Sequence, residues 1–200
     1  MAARPVLEAD WMLEDGERIE KKVLELEGKM DAVMQQSRNV IRLTAKTITL
    51  MHSKRMGDAE SNLAKLGGMV AELEQVEKGF EHYSLQAHQE YSEAKILHHI
   101  LKTGKLPSVS ETGESDIAYL LGLMDVVGEL KREAFDSMRA GDIKTADSYY
   151  RIMLEIYDST SSFRSPSAIL PDFRRKQDVA RIQIESTIGE LVRMESGKTR

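Results

Sequence analysis

The chain is expected to be all-α, and three observations carry that reading. Glycine and proline are sparse at 13 and 4 of 200 residues, while Leu, Met, Glu, Lys and Ala are common. Apolar residues recur at three- and four-residue steps along most of the chain. No segment shows the two-residue alternation of a half-buried strand, and no internal repeat or low-complexity stretch interrupts the pattern. At this length one domain with a substantial core is expected, spanning 1–200, with 1–5 and 196–200 fraying.

Element by element, helical spacing first appears from Trp11 to Met56. Ile19, Val23, Leu26, Met30 and Val33 are followed by Val40, Ile41, Ile48 and Met51. This is one very long helix or two, and its length points to packing against a partner chain. Gly57-Asp58 interrupts it, with Asp58 expected to cap a short helix through Leu66. Gly67-Gly68 is expected to mark a second break before a helix from about Met69 to Leu101. Thr103 to Ser115, holding Gly104, Pro107 and Gly113, reads as a loop. Ser115 or Asp116 caps the next helix, which ends near Ala140-Gly141. Asp142 to about Phe163 is helical, with a face of Tyr149, Tyr150, Met153, Ile156 and Tyr157. Pro166 and Pro171 bracket a short link. The last helix runs from Phe173 to about Met194, offering Val179, Ile182, Ile184, Ile188 and Leu191 for packing.

Composition removes several function classes. There is no cysteine, hence no disulfide framework and no thiolate metal site. The first residues lack the apolar run of a signal peptide, and no stretch approaches the roughly 18 apolar residues of a membrane span. A cytoplasmic location without membrane partners is the expectation. The net charge of −5 argues against a wholly basic nucleic-acid coat, but the charge is unevenly placed. From Ala32 to Gly57 there is no acid, while Arg38, Arg42, Lys46, Lys54 and Arg55 fall inside. Arg38, Arg42 and Lys46 recur at four-residue steps and so share one helical stripe. Such a stripe either contacts phosphates or is a solvated face. A second cluster is Arg174-Arg175-Lys176, followed by Arg181.

The chemistry-bearing residues are two pairs of carboxylates. Glu90 and Glu93 are spaced i, i+3, and Asp125 and Glu129 i, i+4, so each pair shares a helix face. The first pair alone is more often a solvated face, since surface carboxylates are common. Asp125 is different, because it lies in Ile117-Ala-Tyr-Leu-Leu-Gly-Leu-Met-Asp-Val-Val-Gly, where an isolated charge needs a partner. That partner is either a cation or a basic residue, namely Lys131, Arg132 or one on another helix. Were the four acids to converge, each close pair would cost on the order of 4 kcal/mol at an effective dielectric near 20. A divalent cation would remove that cost, and oxygen ligands favour a hard ion suited to phosphoryl chemistry. Gly122 and Gly128 leave room for close helix approach or for a ligand. Of the histidines, His99 reads as a core or interface residue, since no Glu-x-x-His pattern is present. His52, at the end of the basic helix, either binds RNA or favours the helix C-terminus. No Gly-rich phosphate loop, nucleophile elbow or Ser/His/Asp signature occurs.

Two motifs resemble the translin superfamily and, within it, its catalytic branch, translin-associated factor X (Trax). The first is Gln89-Glu90-Tyr91-x-Glu93-Ala94, continuing to His99 and Lys102-Thr103. The second is Tyr119-Leu120-Leu121-Gly122, then Asp125, then Gly128-Glu129-Leu130 and Arg132. The basic helix from Arg38 to His52 and the segment Arg174-Arg175-Lys176-x-Asp178-Val179 also match in character. Ser92, Lys95, Ile96, Leu97 and His98 depart from the animal Trax pattern, and Lys95 brings a charge close to Glu93. The resemblance implies about seven helices assembling into a closed oligomeric shell, an octamer above all, although six subunits would also close one. It implies binding of RNA, and of single-stranded DNA, with Arg38, Arg42, Lys46, His52 and Arg55 as contacts. It further implies a metal-dependent endoribonuclease site at Glu90, Glu93, Asp125 and Glu129, holding Mg²⁺ or Mn²⁺. Two other functions fit the same residues: a non-catalytic binder of single-stranded nucleic acid like translin itself, and a helical scaffold for other proteins.

Overall fold

The computed structural model describes residues 10–197, with the side chains of 12–194 and 196. Seven helices account for nearly all of them: α1 Asp10–His52, α2 Met56–Val76, α3 Glu81–Thr103, α4 Val109–Thr112, α5 Asp116–Arg139, α6 Ile143–Thr160 and α7 Phe173–Gly197. No strand occurs among the described residues. No described helix is long and apolar enough to cross a membrane. Residues 1–5 lie outside the described region. Residues 198–200 of the segment expected to fray lie outside it too; α7 is described as far as Gly197.

α1 turns back on α2 and also packs along α3; α3 packs on α5; and α5, α6 and α7 pack on one another. The main core gathers Ile48 and Met51 of α1 with Ile96, Leu97, Leu121, Val126, Val127, Leu130, Met153, Ile156 and Ile184. A second cluster, including Val33, Val40, Leu66, Val70 and Tyr91, joins α1, α2 and α3.

Two expected boundaries are corrected. Asp58 does not cap a short helix: it sits in the first turn of α2, paired with Arg55 at 2.6 Å. Gly67-Gly68 does not break the chain, because α2 runs through it to Val76. Burial of Leu66, Val70 and Leu73 along one face outweighs the roughly 1 kcal/mol that each mid-helix glycine costs. The break comes instead between Val76 and Glu81, where Gly79 adopts a left-handed φ of +86°. The expected 103–115 loop holds one helical turn, α4, closed by a capping box between Ser108 and Glu111. Ser115 caps α5 as expected and Asp142 caps α6, each accepting a backbone N–H bond.

α1 is a single helix of 43 residues, about 64 Å long. From Met12 to Lys29 its side chains are exposed, apart from a half-buried Asp15. Ile19, Val23, Leu24 and Leu26 therefore face solvent in the isolated chain. On α7, Ile184 and Leu191 are buried as expected, but Val179, Ile182 and Ile188 stay exposed.

Candidate functional site

The site begins with a missing side chain. α3 and α5 cross at Gly122, where a Cβ would lie 2.8 Å from both the Gln89 carbonyl oxygen and the Glu93 nitrogen. Only glycine permits this approach, and it sets Glu90 and Glu93 against Asp125 and Glu129. All four acids line one cleft of about 680 Å³, whose far edge carries Arg175 and Lys176 of α7.

The carboxylates are not equivalent. Glu93 is buried, and among the described residues its carboxylate has no hydrogen-bond or ion-pair partner. Burial pushes its pKa well above the usual carboxylate value, and the charges of Asp125, Glu90 and Glu129 push it further. Glu90 is also raised, chiefly by burial, although a hydrogen bond with Gln86 partly offsets this. Asp125 has both oxygens occupied. Gln89 Nε2 donates to Oδ2 at 2.5 Å, and Lys176 Nζ holds Oδ1. Of the alternatives for Asp125, the structure thus supplies a basic residue on another helix. Neither Lys131 nor Arg132 makes that pair.

Glu129 is tied to a second cluster. His52 Nε2 meets Glu129 Oε2 at 2.5 Å, while His52 Nδ1 meets Glu133 Oε1 at 2.7 Å. Lys54 Nζ closes the chain on Glu133 Oε2 at 2.5 Å. Burial lowers the His52 pKa, but the hydrogen bonds to Glu129 and Glu133 outweigh it and raise the value to about 9. Burial likewise raises Glu133, and His52 and Lys54 outweigh that to lower it. The imidazole is therefore a cation clamped between two carboxylates.

His52, expected among the nucleic-acid contacts, is turned inward in this chain. Its side chain is only 2% exposed and both ring nitrogens are engaged. Six residues beyond Lys46, it lies about 120° round the helix from the basic stripe at 3.6 residues per turn. Arg38, Arg42 and Lys46 are exposed and form no ion pair among the described residues. Arg55 is exposed but belongs to the turn after α1, where it pairs with Asp58. His99 is half-buried beside α4, away from the acidic cleft. Lys95 also turns away from Glu93: its ammonium bonds the Thr112 carbonyl and Glu114, and lies over the Tyr91 ring.

Two functional positions were not assigned from sequence. Glu133 continues the four-residue spacing of Asp125 and Glu129, so periodicity alone could have marked it. Lys176 stood within a recognised basic cluster, but nothing in the sequence placed that cluster against α5.

The donor set fits a hard divalent cation in kind: oxygen ligands only, one of them buried and unpartnered. It is not a ready cage. Among the described residues no three Asp, Glu or His side chains are grouped closely enough to hold an ion as they stand.

Residues 15–187 match the Translin family. The chain belongs to that family. An uncharacterized protein of Methanocaldococcus jannaschii is 28% identical to this translin-family chain over 171 residues, covering 81% of this chain and 74% of that one. Among solved structures, AfC3PO in complex with duplex RNA superposes with a TM-score of 0.79 at 25% identity, covering 92% of this chain and 98% of that one. AfC3PO in a further crystal structure gives the same score and coverage at 26% identity. Apo-NeC3PO shares the fold, with a TM-score of 0.79 at 21% identity over 97% of this chain and all of that one.

Proposed function

We propose that this translin-family chain is a Trax-like, metal-dependent endoribonuclease subunit. The observation that carries the reading is the convergence of Glu90, Glu93, Asp125 and Glu129 on one cleft with Glu93 buried and unpartnered. Structural similarity to AfC3PO bound to duplex RNA supports RNA as the ligand. The four carboxylates would hold Mg²⁺ or Mn²⁺, which supplies charge neutralisation at phosphate oxygens and a more acidic water. One of the carboxylates would take a proton from the attacking water. As water attacks phosphorus the P–O3′ bond would break and O3′ would take up a proton, giving 5′-phosphate and 3′-hydroxyl ends. Arg175, at the cleft edge, and the stripe of Arg38, Arg42 and Lys46 contact backbone phosphates, so little base preference is expected.

Self-association belongs to the same proposal. The unpaired apolar residues of the first half of α1 and of α7 need a covering surface, and a second copy of this chain provides one. A closed homo-oligomer results, an octamer in preference to a hexamer, acting in the cytoplasm. A light-scattering mass decides between them.

A second reading has an observation in its favour. Lys176 already neutralises Asp125, and His52 already neutralises Glu129, without a metal. On that reading the chain binds single-stranded RNA or DNA and does not cut it. Labelled single-stranded RNA incubated with and without Mg²⁺ separates the two, with Asp125→Asn and Glu129→Ala beside the wild type. Cleavage that requires Mg²⁺ and disappears in both variants supports the nuclease. Cleavage surviving EDTA or persisting in Glu129→Ala refutes it, and retained binding without any cleavage selects the second reading.

A further inference from the structure

We propose that Lys176 is the exchangeable counterion of the acidic cleft: an entering divalent cation displaces its ammonium from Asp125 Oδ1, so that lysine and metal occupy the same oxygen in turn. This rests on the metal-holding role proposed above for the four acids.

Three features carry it. First, both Asp125 oxygens are already engaged: Gln89 donates to Oδ2 and Lys176 holds Oδ1. Gln89 is neutral and can stay beside a cation. The Lys176 ammonium repels a cation approaching the same carboxylate, so the two positive charges compete for it. Second, the backbone at Lys176 is fixed while its side chain is not. The neighbouring Phe173 and Gln177 are buried, and Gln177 Nε2 donates to the Thr160 carbonyl at 2.7 Å. Movement therefore falls to the flexible four-carbon stem of the lysine.

Third, there is a place for the ammonium to go. A smaller pocket of about 100 Å³ adjoins the main cleft and shares Asp125, Arg175 and Lys176 with it, so the ion pair stands at their common wall. Gln183 lines that pocket, and among the described residues its side-chain amide has no hydrogen-bond partner. The amide oxygen offers Nζ an acceptor once Asp125 is given up. Lysine suits this exchange better than arginine. Its ammonium makes a single-point contact on a flexible stem, whereas a guanidinium presents a rigid fork of donors to the same carboxylate.

The test is Mn²⁺ affinity without nucleic acid, read from the paramagnetic resonance signal of free Mn²⁺ at constant pH and ionic strength. Wild type is compared with Lys176→Met and Lys176→Arg. Lys176→Met, which has no competing charge, should bind Mn²⁺ on the order of tenfold more tightly. Lys176→Arg should bind more weakly than wild type. Circular dichroism confirms the helical fold, and the rise in melting temperature on adding Mn²⁺ should be larger in Lys176→Met than in wild type. Equal or weaker binding by a folded Lys176→Met overturns the exchange while leaving the metal site standing. If Lys176→Met folds only with metal, the ranking of Lys176→Arg against wild type decides, and equal or tighter binding by the arginine variant overturns the proposal. Absence of Mn²⁺ binding in wild type and both variants removes the metal site itself, and the exchange with it.

Discussion

Replacing Gly122 by alanine adds one carbon at the crossing that brings the acids together. That carbon would sit 2.8 Å from two backbone atoms, the Gln89 oxygen and the Glu93 nitrogen, and 3.1 Å from Ser92 Cβ. Backbone cannot swing aside as a flexible side chain would, so α3 and α5 must separate. Overpacking of this kind costs about 1–3 kcal/mol. Alanine's better helix propensity returns about 1 kcal/mol, leaving a net loss of up to about 2 kcal/mol. For a chain of this size that lowers the melting temperature by up to roughly 8 °C. The control is Gly68→Ala in α2, where an added Cβ meets nothing within 4 Å and the variant should gain about 0.5–1 kcal/mol. Thermal unfolding of both variants by circular dichroism reads the two signs directly. Because the separation also moves Glu93 from Asp125, Gly122→Ala should lose Mn²⁺ affinity and Gly68→Ala should not. An increase in melting temperature for Gly122→Ala would show that α3 and α5 do not meet there, and the convergence of acids would fall with it.

Three further outcomes follow from the same geometry. His52→Ala takes their shared cation from Glu129 and Glu133 while Lys54 still pairs with Glu133, and should destabilise the fold by about 2–3 kcal/mol in urea unfolding; a loss under 1 kcal/mol would contradict the clamp. The folded pKa of His52, about 9, lies above its ordinary 6.5, so its stabilisation is complete below pH 6.5 and is lost as pH rises through 9. That contribution is on the order of 3 kcal/mol. Glu93 is raised too, and stability from it falls as pH climbs above 4.5, so both groups act in the same direction. Denaturation midpoints from pH 5 to 10 should therefore decline, and a His52→Gln variant should lose the alkaline part of the decline. Replacing Arg38, Arg42 and Lys46 together by alanine should weaken binding of single-stranded RNA of every sequence alike. It should also reduce the logarithmic salt slope by about 2. An unchanged slope would move the phosphate contacts elsewhere.

The local parts of this molecule were legible in its sequence. Helical spacing marked α1, α5, α6 and α7 and most of α3, Ser115 announced α5, and the spacings of Glu90 with Glu93 and Asp125 with Glu129 placed each pair on one face. These features depend on residues within a few positions of one another, where 3.6 residues per turn is enough to fix geometry. Gly67-Gly68 misled because intrinsic propensity is worth about 1 kcal/mol per residue, and burial on α1 and α3 is worth more. The surroundings of His52 were hidden for a related reason. It closes a basic segment in the sequence, but its helical phase turns it inward, 81 residues from Glu133 along the chain.

What the sequence determined by itself is the all-helical class, the two carboxylate pairs and the uneven charge. The tertiary structure alone decided that the pairs oppose each other across Gly122, and that Asp125 is held by Lys176, 51 residues away. It likewise placed His52 between Glu129 and Glu133. The division is physical: periodicity orients a side chain about its own helix axis. Which charge meets which is set by how the helices cross, and that depends on volumes and close approaches spread over the whole chain.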